Sequence, residues 1–153
     1  MKFKHLFFDL DNTILDFSYA SHIAFEETMR HFRRDISDHY QIYSKGNAMV
    51  WEEFEKGQIT AQVLRGRRFQ VFLDKLNWKE DGYEWNKIYL DHIVRNNKFI
   101  EGAEDLLMRL KEKYHIHIVT NGLKEVQRPR LKAAGLLPYL SSITVSDEIG
   151  HAK

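Results

Sequence analysis

The chain has 153 residues, 43% of them hydrophobic and 29% charged, with Lys+Arg 23 against Asp+Glu 22. That length and balance fit an ordinary folded domain with a sizeable core and argue against a disordered chain. The near-neutral charge gives no support for a nucleic-acid or anionic-membrane surface, and the lack of cysteine excludes disulfides, thiolate metal sites and a cysteine nucleophile.

Lys2 and Lys4 precede a short apolar run, Leu6-Phe7-Phe8, that stops at Asp9. It is too short for a signal peptide or a spanning helix, so a cytoplasmic location is the expectation. The run is aromatic and bounded by a turn signal, which predicts a buried strand over 3–9. Asp11 follows two positions later, then Asn12 and Thr13. A carboxylate at the end of a buried parallel strand sits at the edge where open α/β sheets bind ligands. Two carboxylates there repel unless a cation lies nearby, and a bound Mg²⁺ would supply that charge.

From about Phe17 the pattern turns helical, with Phe25, Met29 and Phe32 on one face. Ser37 is placed to cap a second helix carrying Tyr43, Val50 and Phe54, and Gly57 to stop it. Thr60 caps a third helix reaching about Leu76, and Asp81 a fourth with Trp85, Ile88, Tyr89 and His92 on one face. Residues 17–97 therefore read as an all-helical insert. An α/β pattern resumes at Phe99. A helix with Ala103, Leu106, Leu107 and Leu110 inward leads to a strand over Tyr114 to Val119, with Asn121-Gly122 as its turn. Leu123 to Ala134 is helical in period, but Pro129 predicts a kink or a fresh helix start. Ser142 to Ser146 is a third strand.

Three stretches now stand at strand ends: Asp9-Leu10-Asp11-Asn12-Thr13, Val119-Thr120-Asn121-Gly122, and Ser146-Asp147-Glu148-Ile149-Gly150-His151-Ala152-Lys153. In this order they resemble the motifs of the haloacid dehalogenase (HAD) superfamily. The resemblance implies an α/β fold: a Rossmann-like three-layer core, 1–16 with 98–153, interrupted by a helical cap at 17–97. It also implies that the chain is C-terminally incomplete, since the fourth, acidic motif is not found. The first strand would then be an apolar sheet edge open to self-association.

The resemblance assigns roles residue by residue. Asp9 is the expected nucleophile, forming an aspartyl-phosphate. Asp11 is the expected acid, then base, because an alcohol needs a proton on leaving and water must lose one. Mg²⁺ would be held by the Asp9 side chain and the Asp11 carbonyl. Thr13, Thr120, Asn121 and Gly122 are expected around the phosphoryl group, and Lys153 as its counter-charge. The cap length, the Thr-Asn-Gly turn and Gln127 resemble the 5′-nucleotidase branch, which implies a nucleoside monophosphate as substrate. A sugar-phosphate or phosphoglycolate phosphatase, and an inactive phosphate-binding module, stay open as alternatives. His115 and His117 share a strand face and read as structural. Arg65-Gly66-Arg67-Arg68 reads as a solvated face, while Trp51, Trp85 and Arg67 on the insert are expected to influence substrate choice.

Overall fold

In the computed structural model, which describes residues 3–151 and 153, three short strands form one parallel sheet. They are β1 (His5–Phe8), β2 (His115–Thr120) and β3 (Ser142–Val145), in the order β1-β2-β3. Lys2 and the third-motif Ala152 lie outside the described residues. His5 pairs with His115 and Phe8 with Ile118; on the other side His117 pairs with Ser142 and Thr120 with Val145.

Helices fill the gaps between strands: α1 (Phe17–His31), α2 (His39–Glu55), α3 (Ala61–Lys75), α4 (Gly82–Arg95) and α5 (Ala103–Leu110) precede β2, α6 (Lys124–Ala133) joins β2 to β3, and α7 (Ser146–Ile149) follows. The chain divides into two compact units, Met1–Ser21 with Ile93–Lys153, and His22–His92. These unit boundaries fall inside α1 and α4.

In the sheet unit, β2 alternates in the two-residue period of a half-buried strand. Ile116 and Ile118 face a core shared with Leu10, Ile14, Leu15, Ala103, Leu107, Leu131 and Leu136. The opposite face carries His5, Phe7, His115 and His117, whose rings stack at 4.7–5.2 Å. β1 is therefore half-exposed rather than a buried strand, with Phe7 68% exposed and β1 at an edge of the sheet among the described residues. Core contact on one face only is the physical reason.

The helical unit has its own aromatic core of Phe25, Tyr43, Phe69, Phe72, Trp85 and Tyr89. Phe25 stacks on Tyr43 at 4.9 Å and Phe32 on Trp85 at 4.3 Å. Arg68 is buried among them, donating from Nη2 to the Tyr43 hydroxyl at 2.7 Å and lying 4.8 Å from the Tyr89 ring. Arg68 is thus a core residue, not part of a solvated face. Arg67 remains outside, paired with Glu53 at 2.8 Å.

Local signals explain most helix ends. The Thr60 hydroxyl accepts the Val63 N–H, and Asp81 Oδ1 accepts the Tyr83 N–H. Gly57 takes φ +70 beyond α2, a conformation that costs glycine nothing. Two expectations fail and a third is narrowed. Ser37 does not cap α2; its hydroxyl binds the Asp35 carboxylate, and Asp38 stands before the helix with φ 43. Leu106 is 40% exposed, because α5 presents Ala103 and Leu107 to the core. Of the two outcomes expected at Pro129, the fresh helix start is not seen: Pro129 lies inside a continuous α6.

Candidate active site

The loop after β1 turns tightly. The Leu10 carbonyl accepts the N–H groups of Ile14 at 2.9 Å and Leu15 at 3.0 Å, and Asn12 N–H donates back to the Leu15 carbonyl at 2.7 Å. Asn12 is in the left-handed region, which its short polar side chain tolerates. Its Oδ1 accepts the Ser18 N–H at 3.1 Å, and Asp16 Oδ1 accepts the Tyr19 N–H at 2.8 Å, so the loop also caps α1. Asp9 and Asp11 are therefore anchored between a strand end and a capped helix start.

Asp9 Oδ1 accepts its neighbour's N–H, from Leu10 at 2.8 Å, and lies 2.5 Å from Lys153 Nζ. Lys153 Nζ also donates to the Val119 carbonyl at 3.3 Å, while Lys153 N–H donates to Asn121 Oδ1 at 2.8 Å. Asp9, Asn121 and Lys153, from all three motifs, thus come together.

Asp11 faces a different set of groups. Its Oδ1 accepts from Arg130 Nη1 at 2.5 Å and its Oδ2 from Gln127 Nε2 at 2.7 Å. The same Gln127 Nε2 donates to Thr120 Oγ1 at 2.8 Å. Thr120, at the buried end of β2, is joined to Asp11 through that amide. Gly122 serves this packing: a Cβ there would lie 2.3 Å from Gln127 Nε2. Thr13 is not drawn in; it is exposed, and its hydroxyl makes no hydrogen bond among the described residues.

Sequence reading named Gln127 only through a resemblance and missed Arg130. The signal available was weak: Gln127 and Arg130 are three apart and share a helix face. The acidic pair of the third stretch is engaged elsewhere. Asp147 Oδ2 accepts the Lys124 N–H at the start of α6, at 3.2 Å. Glu148 pairs with Arg128 at 2.5 Å, and that guanidinium holds its carboxyl below the usual range.

The donors present suit a hard cation. Asp9 Oδ2 has no hydrogen-bond partner among the described residues, and the Asp11 carbonyl is a second oxygen on the same loop. Among the described residues no three His, Cys, Asp or Glu side chains converge on a metal position.

The model of the haloacid dehalogenase-like hydrolases matches residues 3–153. The chain is 31% identical over 156 residues to the HAD-hydrolase YfnB of Bacillus subtilis, covering 99% of this chain and 65% of that protein. The solved structure of YfnB, described as bound to magnesium and revealing interdomain movement, superposes with a TM-score of 0.93 over 100% of this chain and 69% of that one. The pyrimidine 5′-nucleotidase PynA of Streptococcus pneumoniae is 30% identical, covering 100% of this chain and 65% of that protein. The pyrimidine 5′-nucleotidase YjjG of Escherichia coli is 29% identical, covering 100% and 67%. The chain thus spans about two thirds of the length of the curated relatives it matches.

Proposed function

The chain belongs to the haloacid dehalogenase-like hydrolase family, and on that premise we propose that it hydrolyses a small phosphomonoester through an aspartyl-phosphate, with a nucleoside 5′-monophosphate as the substrate. The observation that carries the reading is the Asp9–Lys153 pair at 2.5 Å with Asp11 anchored on the same loop. That pairing sets an accessible carboxylate beside a lysine able to counter an anionic substrate.

The Asp9 carboxylate attacks phosphorus through one of its oxygens, and the bond from phosphorus to the ester oxygen breaks. Asp11 gives its proton to the departing oxygen. It then takes one from the water that cleaves the aspartyl-phosphate. Lys153 lowers the repulsion between the Asp9 carboxylate and the phosphoryl oxygens as a point charge. The Thr120 hydroxyl and the turn at Asn121-Gly122 offer donors to those oxygens. When bound on Asp9 and the Asp11 carbonyl, Mg²⁺ supplies further charge stabilisation for the phosphoryl group.

Asp11 favours a phosphoester over a haloacid substrate, since a departing halide needs no proton and an alcohol does. The nucleotide assignment draws on the two relatives named pyrimidine 5′-nucleotidases at 29–30% identity. The test is phosphate release from a panel of nucleoside 5′-monophosphates, sugar phosphates and phosphoglycolate, and halide release from a haloacid, each with Mg²⁺ and with EDTA. Mg²⁺-dependent release that is fastest on a nucleoside 5′-monophosphate is expected. Halide release without phosphatase activity would refute the reading.

A further inference from the structure

The chemistry above uses neither Gln127 nor Arg130, yet they are among the most buried polar side chains of the sheet unit, at 2% and 0% exposure. Their hydrogen bonds have a fixed polarity. A guanidinium can only donate and a carboxylate can only accept. Arg130 Nη1 donates to Gln127 Oε1 at 2.9 Å and to Asp11 Oδ1 at 2.5 Å. The Gln127 amide is thereby oriented with Nε2 toward its other partners, Asp11 Oδ2 at 2.7 Å and Thr120 Oγ1 at 2.8 Å. Both amide protons are used. Asp11 is gripped by both oxygens, and the Thr120 oxygen is made an acceptor, leaving its own proton to donate elsewhere.

Stability alone is a poor account of this arrangement. Arg130 Nε and Nη2 are buried without a hydrogen-bond partner among the described residues, and the Phe17 ring lies 5.4 Å from the guanidinium. Desolvating a guanidinium while leaving two of its nitrogens unmatched costs free energy that the ion pair need not recover. An apolar side chain of similar volume would fill the space without that cost. What an apolar side chain could not do is orient Asp11.

We propose that Gln127 and Arg130 are positioning residues: together they form a clamp on α6 that aims the Asp11 carboxyl group for proton transfer and sets the Thr120 hydroxyl as a donor to the phosphoryl group. The proposal rests on the phosphatase reading. It predicts a dependence on the leaving group, because an ester whose oxygen departs readily has little need of a well-aimed acid.

The test compares phenyl phosphate with p-nitrophenyl phosphate, esters of similar shape but unequal leaving groups, on wild type, Gln127→Glu, Arg130→Met and Arg130→Lys. Gln127→Glu keeps the shape and removes both amide donors. Its kcat should fall about ten- to a hundredfold on phenyl phosphate and less than about threefold on p-nitrophenyl phosphate, within the range a positioned acid contributes. KM should stay within about twofold on both esters. Arg130→Met should behave alike, and Arg130→Lys, which keeps a donor for Asp11, should recover part of the loss. Equal losses on both esters, or no loss, would overturn the clamp. Asp9→Asn is run beside them: if it still turns over either ester, the phosphatase reading itself fails. If it is inactive while the clamp variants show no leaving-group dependence, only the clamp fails.

Discussion

Lys153 Nζ stands 2.5 Å from Asp9 Oδ1, and the backbone N–H of the same lysine is held by Asn121 Oδ1 at 2.8 Å. The charge is thus placed by the turn that ends β2. Lys153→Met is expected to lower kcat/KM by about 10²–10³, the scale on which loss of one oriented stabiliser of transition-state charge is felt. Lys153→Arg should lose less. Steady-state kinetics on p-nitrophenyl phosphate checks both, and wild-type kinetics in Lys153→Met would remove the lysine from the mechanism.

Gly122→Ala tests the packing behind the site. The added Cβ would lie 2.3–2.5 Å from the Gln127 amide, so Gln127 must move off Thr120 and Asp11. Overpacking of this kind costs about 1–3 kcal/mol. Activity should fall with it, and denaturant melts alongside kinetics would show both. An Ala variant with unchanged stability and turnover would mean that Gln127 is not held closely.

Trp85→Ala should act on stability rather than on substrate ranking. Trp85 is fully buried, stacked on Phe32 at 4.3 Å and close to Phe69, Phe72 and Trp78. Truncating such a residue costs about 3–5 kcal/mol. Thermal unfolding of the variant checks this. A change in substrate preference with an unchanged melting temperature would restore the role expected from sequence.

Alkaline pH should destabilise the helical unit through Tyr43. Burial pushes this phenol well above its ordinary value of 10.0, even with Arg68 beside it. The unfolded chain then releases the proton at a lower pH than the folded chain. Stability is full below about pH 10 and falls as pH rises beyond it. Melting curves across that range should show the fall, and Tyr43→Phe should flatten it. The variant should also lose about 1–3 kcal/mol at neutral pH by leaving Arg68 Nη2 without its acceptor. An equally steep alkaline fall in Tyr43→Phe would place the titrating group elsewhere.

The parts that sequence reveals are those set by local chemistry. An apolar run stopped by Asp9, a threonine before a helix at Thr60 and a glycine after one at Gly57 each have a near-neighbour cause, and each stands where expected. Arg130 has none. A basic residue in a polar helix normally reads as solvated. Its burial follows from Asp11, which only the fold brings beside it. Arg68 was hidden for the same reason, its partner Tyr43 lying on another helix. Leu106 shows the converse error: the helical period places it near the apolar face, but a helix as short as α5 covers the core with Ala103 and Leu107.

The central claim is that Asp9 carries the phosphoryl group. Acid-quenched enzyme, taken during turnover of p-nitrophenyl phosphate with Mg²⁺, can be digested and read by mass spectrometry. The account expects a phosphoryl adduct on Asp9 that disappears when turnover is allowed to finish, and no adduct in Asp9→Asn. Full hydrolysis by Asp9→Asn, or an adduct on any other residue, would contradict it.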